Sequence, residues 1–295
     1  MTFNENAKVG GNKARRRGRT TAIATGGGIG VLGIAVLLIS AFTGQDLGGL
    51  LGVLGGGESS QQQPAEGGTA ISDCETGQDA NENDDCRLAA GSLAIDQFWA
   101  ESVDGYREPQ LIIVEESTSS RCGTASNATG PFYCPPEETV YVAPTFFGLL
   151  RSQYGATAGS LAQLYVLAHE YGHHVQNLLG VFEDHPTGDT GPDSNGVRIE
   201  LQADCFAGAW VAGMADQVDE DGNPYLESPT REQIADALNA AAAVGDDHIQ
   251  EQATGTVTPE SWTHGSSEQR QRWFEAGREG GPNACDTFAV SAGDL

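Results

Sequence analysis

Residues 164 to 180 read LYVLAHEYGHHVQNLLG, and no stretch of the chain constrains its fold more. Apolar residues recur at 161, 164, 168, 171, 175 and 178, the spacing of an α-helix. Ser160 can cap its start and Gly180 can end it. A helix this apolar belongs inside a packed domain, yet it carries His169 and His173, with Glu170 beside the first. One turn apart, both imidazoles can reach the same ion, and Glu170 can hold a water against it. Zinc in such a setting polarises the water while the carboxylate takes its proton. Three fixed residues recur by chance in roughly one chain in a hundred of this size, so a further ligand is required.

The stretch RIELQADCFAGAW supplies it. Glu200 and Asp204 stand four apart, hence on one face of a second helix expected over 195–217. The neighbours Leu201, Ala203, Cys205, Phe206 and Ala207 leave that helix little polar surface. Two buried carboxylates need partners. A metal would partner Glu200, and the N–H of a metal-bound imidazole would partner Asp204. An exposed acidic face is the competing reading.

Charge is distributed very unevenly. Lys8, Lys13, Arg15, Arg16, Arg17 and Arg19 fall in the first nineteen residues. From residue 20 onward there are nine arginines, no lysine and 40 of the 41 acidic residues, a formal charge of −31. Nucleic acid would repel such a body, so no nucleic-acid partner is expected. Residues 20–45 are free of charge and include IGVLGIAVLLISAF, long enough to span a bilayer. The basic cluster before them reads as a cytoplasmic flank. The expected layout is a basic cytoplasmic tail (1–19), a transmembrane signal anchor (20–43), a Gly/Ser/Gln-rich linker (44–70) and an extracytoplasmic domain (71–295). A cleaved signal peptide competes with the anchor, but no small-x-small site follows the apolar run.

All six cysteines lie in the body, an even number with no CxxC, which suggests disulfides. The simplest local pairs are Cys74–Cys86 and Cys122–Cys134, leaving Cys205 with Cys285. Strands are expected at 110–117 and 139–143, and further helices at 86–101, 145–154 and 230–244, with a last one after Ser266. Thr230 with Gln233 has the spacing of a capping box, as has Ser266 with Gln269. The fold class is α+β, mostly helical with a small sheet. The acidic segment DQVDEDGN (216–223) is no EF-hand, because Gln217 and Ser228 would fall on its ligand positions.

AHEYGHHVQ, ELQADCFAGAW, GDDHIQ, THGSSEQRQRWF, PFYCP and the late CDTF together resemble the neutral zinc metallopeptidases, membrane-anchored proteins with HExxH and a downstream ExxxD. The matches run from about residue 86 to 288. The resemblance implies a zincin-like domain of the gluzincin kind: His169, His173 and Glu200 on one zinc ion, Glu170 as general base, and peptides or unfolded proteins as substrates. It also suggests His264, or failing that Arg270, as the group that steadies the oxyanion of the tetrahedral intermediate. A capping or loop role for His264 is the alternative. GDDHIQ has His248 where the family usually has arginine, so His248 reads as structural; His174 and His185 read as bystanders. An edge strand pairs with substrate in this architecture, and Tyr141 and Val142 are the candidates. The alternative function is a non-catalytic binding or scaffold module on the same fold.

Overall fold

The structure, a computed structural model, describes residues 2–18 and 68–295. Its strands are β1 (Arg15–Arg17), β2 (Thr69–Ala70), β3 (Gln110–Val114), β4 (Ser117–Ser120), β5 (Gly123–Ser126), β6 (Phe132–Cys134) and β7 (Thr139–Val142). Its helices are α1 (Gly77–Glu82), α2 (Asp84–Ser102), α3 (Thr145–Tyr154), α4 (Ser160–Leu178), α5 (Val181–Asp184), α6 (Asn195–Gly213), α7 (Arg231–Ala243), α8 (Asp246–Thr254) and α9 (Ser267–Gly280).

Apolar spacing places the long helices, and local chemistry trims their ends. Both expected capping boxes form, at Thr230/Gln233 and at Ser266/Gln269. The Ser194 side chain caps α6, which stops at Gly213 rather than 217. Ser160 is the first residue of α4 and not its cap; Gly159 holds that position without a side chain to offer. Every residue of α4 from Leu161 to Gln176 is buried, as its apolar flanks require.

Helices α4, α6 and α9 pack in succession, and glycines set how closely they approach. A Cβ on Gly172 of α4 would lie 3.0 Å from the Ala203 Cα of α6. The α6–α9 crossing is tighter still. A Cβ on Gly208 would fall 1.9 Å from the Phe274 carbonyl oxygen, and one on Gly277 only 1.8 Å from that of Cys205. No other residue type fits that crossing.

The main sheet runs in the order β2-β1-β3-β7-β6. Strands β1, β3 and β7 are parallel, and β2 and β6 lie antiparallel at the two edges. This corrects the expectation for the 139–143 strand. Tyr141 pairs with Ile112 on one side and Phe132 on the other, so β7 has no free edge there, and Val142 pairs with Ile113. Tyr141 and Val142 are buried inside the sheet, and the edge on their side belongs to β6.

Residues 1–19 were expected to form a tail apart from the body, yet Arg15–Arg17 hydrogen-bond between β2 and β3, and Phe3, Ala7, Val9 and Ala14 are buried in the body's core. The charge asymmetry has a local use. Arg16 pairs with Asp85 at 2.6 Å, and Lys8 lies 2.9 Å from both Glu220 and Asp221. The acidic 216–223 segment therefore clamps the basic one, with Asp219 accepting from the Lys8 backbone N–H at 2.8 Å. The folded unit starts at the N-terminal segment and not at residue 71. The expected span at 20–43 and most of the expected linker lie outside the described residues. Among the described residues no helix is long and apolar enough to cross a membrane.

The three disulfides pair as the spacing suggested: Cys74–Cys86, Cys122–Cys134 and Cys205–Cys285. The third ties α6 to the C-terminal segment.

Candidate metal centre

The close approach of α4 and α6 at Gly172 brings His169 and His173 against Glu200. His169 Nε2 lies 3.2 Å from Glu200 Oε2, and His173 Nε2 lies 3.5 Å from Glu200 Oε1. One ligand atom from each of the three residues falls within 4.8 Å of the others, and all three side chains are buried. Two imidazole nitrogens and one carboxylate oxygen are the donor set of catalytic zinc sites. Further in, Glu200 Oε1 and both carboxylate oxygens of Glu170 are buried without a hydrogen-bond partner. Leaving three carboxylate oxygens unsatisfied is costly, and a cation with its water would satisfy them. The residues present fit a zinc ion.

The electrostatics ask for positive charge in the same place. Burial disfavours charge on His169, but the carboxylates of Asp204 and Glu200 outweigh it and push its pKa up to about 9. Burial alone would raise the Glu200 carboxyl, yet His264, His173 and His169 hold it well below the usual carboxylate range. Glu170 has no comparable support. Burial drives it up to about 7, with the nearby Glu200 adding to the rise, while the charge of His169 opposes it.

Behind the ligands stands a buried polar cluster. Asp204 accepts from His169 Nδ1 at 2.8 Å, which leaves Nε2 to face Glu200. The Tyr165 hydroxyl donates to the same oxygen of Asp204. Arg270 grips Asp204 through Nε and a terminal nitrogen, at 2.7 and 2.9 Å, and donates to the Val244 carbonyl as well. Arg270 thus sits behind His169, on its Nδ1 side, and is not placed to reach an oxyanion. His264 is buried, and its positive charge helps to hold the Glu200 carboxyl down. Its Nδ1 lies 2.8 Å from the Thr263 hydroxyl. The loop carrying it is fixed by Asp246, whose Oδ2 accepts the backbone N–H groups of Thr263, His264 and Gly265 at 2.7, 2.7 and 3.0 Å.

The other histidines are placed elsewhere. His174 bridges the Tyr133 hydroxyl and the Arg107 carbonyl, fastening α4 to β6 and the loop before β3. His185 stacks on Phe288, and His248 reaches the Tyr154 carbonyl. Sequence reasoning missed Tyr165, Gln176, Gln202 and Asp246. Tyr165 carried a usable signal, since it precedes His169 by four residues and so shares its face. Asp246 and Gln202 act across the fold, and no local pattern announces them.

Comparison with known proteins settles the family. Residues 3–288 match the family described as "Putative neutral zinc metallopeptidase". The chain belongs to this family. Among its relatives, an uncharacterized protein of Mycobacterium tuberculosis (strain ATCC 25618 / H37Rv) is 48% identical over 254 residues, 83% of this chain and 86% of the relative. The uncharacterized protein YpfJ of Escherichia coli (strain K12) is 38% identical over 274 residues, 89% of this chain and 87% of its own length. No solved structure matches the chain. The metallopeptidase family match begins at residue 3, so it takes in the N-terminal segment that pairs with the sheet.

Proposed function

We propose that the chain is a zinc-dependent peptidase that hydrolyses peptide bonds with Glu170 as general base. The observation that carries this reading is the buried, unpartnered carboxylate of Glu170 beside the His169–His173–Glu200 cluster. A structural metal site has no use for such a group, and burying it unpaired destabilises the fold. That weighs against a purely binding or scaffolding module.

Zinc held by His169, His173 and Glu200 would supply a Lewis acid for a water and for the substrate carbonyl. Glu170 takes the proton of the attacking water and returns it to the leaving amine. His264 is the side chain we assign to steady the developing oxyanion, on the strength of its charge acting on Glu200, and Asp246 keeps its loop in place. Asp204, with Arg270 and Tyr165 behind it, orients His169. An extended peptide or an unfolded protein is the substrate class. Strand β6, the sheet edge that packs against α4, is where its backbone would add.

The test is cleavage of an unfolded protein by the zinc-loaded full-length chain and by its Glu170→Gln variant. Cleavage by the wild type and a loss of at least a hundredfold in the variant, with zinc content equal, is the expected result. Equal cleavage by both would remove Glu170 from the mechanism. No cleavage by either, with zinc bound, would favour the binding module.

The compartment is proposed to be extracytoplasmic, on the strength of three disulfides and no free cysteine among the described residues. Membrane attachment through residues 20–43 is proposed on their charge-free sequence. The pairing of β1 with β2 and β3 then requires residues 2–18 and 68–295 to share one face of the membrane. Membrane-impermeant labelling of cysteines introduced at Asn6 and at Glu275 should modify both from the same side. Labelling from opposite sides would rule that arrangement out.

A further inference from the structure

His169 has a carboxylate to hold the proton on its Nδ1. His173 has none, yet it too must offer a bare Nε2 to the cluster. Its Nδ1 lies 2.8 Å from Gln176 Oε1. An amide group can present either end, so that contact alone does not say where the imidazole proton sits.

The next contacts do. Gln176 Nε2 lies 2.7 Å from the Ile199 carbonyl oxygen and 3.0 Å from Gln202 Oε1. Gln202 Nε2 lies 2.9 Å from the Cys285 carbonyl oxygen. Backbone carbonyls only accept. Cys285 therefore makes Gln202 turn its NH2 outward and its oxygen toward Gln176. Ile199 and Gln202 together use both hydrogens of the Gln176 amide, which leaves its oxygen for His173. A flip of either glutamine would set oxygen against oxygen inside the core, where both side chains are buried. The polarity of the chain runs one way, from Cys285 to His173. At its start, the Cys285 carbonyl belongs to a segment bonded to α6 through the disulfide with Cys205.

We propose that Gln176 and Gln202 are positioning residues, a disulfide-anchored amide relay that keeps the proton on His173 Nδ1 and turns the Nε2 lone pair toward the metal. The proposal rests on the zinc reading of the cluster. It assigns the second imidazole a protein-built orienting partner where the first has Asp204, and it uses two neutral amides where a carboxylate would add a further charge beside Glu170 and Glu200.

The experiment uses the full-length chain with 15N-labelled histidine. Ring tautomers are read by long-range 1H–15N correlation in metal-free protein, and zinc affinity is read separately by chelator competition. In the wild type, His173 should already be the Nδ1–H tautomer before metal is added. Gln176→Met removes its acceptor. His173 should then become a mixture of tautomers, and zinc should bind about ten- to a hundredfold more weakly. Gln202→Met should shift both in the same direction by less, because Ile199 still holds Gln176. The His169 ring signals should stay unchanged in both variants, since Asp204 is untouched.

The relay is refuted if wild-type His173 carries its proton on Nε2. It is equally refuted if Gln176→Met changes neither the tautomer nor the affinity by more than about twofold. Should Gln176→Met not fold, shown by loss of the His169 and His174 signals, the Gln202→Met variant decides on the same two readouts. A wild type that binds no zinc would overturn the metal reading, while the tautomers of the metal-free protein still judge the relay.

Discussion

Arg270 shows how much of the site lies behind its ligands. It is fully buried, and its main partner is the Asp204 carboxylate, which in turn holds His169. Removing one member of a buried ion pair strands the other charge. Arg270→Leu should therefore lower stability by about 3–5 kcal/mol in chemical denaturation. Arg272→Leu, which loses only an exposed pair with Glu268, should change it by less than about 1 kcal/mol. Equal effects would mean that Asp204 finds another cation when Arg270 is gone. At this scale the cluster that could hold a metal was legible, because spacings of four put His169 with His173 and Glu200 with Asp204 on common faces. Arg270 was legible only as a charged residue in a motif. The family resemblance suggested an oxyanion role, and only the packing of α9 against α6 shows that it points at Asp204 instead.

Among the elements, the long helices were legible and most strands were not. Helix α4 repeats its apolar residues over several turns, and α6, α7 and α9 carry side-chain caps at Ser194, Thr230 and Ser266. Strands β3 and β7 are β-branched runs. The rest offered little: β4 and β5 are Ser, Thr, Gly and Ala, and β1 is three arginines that no hydrophobic alternation would select. Such strands exist because a neighbour supplies the hydrogen bonds. Helix contacts were hidden for a related reason, since a glycine in a helix reads as a weak residue until its neighbour is known. Gly277 faces the Cys205 carbonyl with no room for a methyl group. Gly277→Ala should push α9 away from α6 and lower stability by 2 kcal/mol or more, read as a fall in thermal midpoint. Gly255→Ala offers the contrast, with open space around it and a left-handed φ of 70°, so its effect should be confined to about 1 kcal/mol of local strain. A Gly277→Ala protein as stable as the wild type would show that the crossing can relax.

For the molecule as a whole, the decisive feature is that β1 sits inside the sheet and not beside it. Residues 68–295 hold residues 2–18 through hydrogen bonds, packing and ion pairs, with no disulfide joining the two segments. The body is thus built like a split protein whose smaller part happens to share its chain. Without that part, the flank of β3 would lose its neighbour and stand as an open template for other strands. Residues 68–295 produced alone should accordingly be aggregation-prone and melt at a lower temperature. A synthetic peptide of residues 2–18 should restore the fold in trans, with a midpoint that climbs as peptide is added. A scrambled peptide of the same charge should not, because Phe3 and Val9 would no longer reach their places in the core.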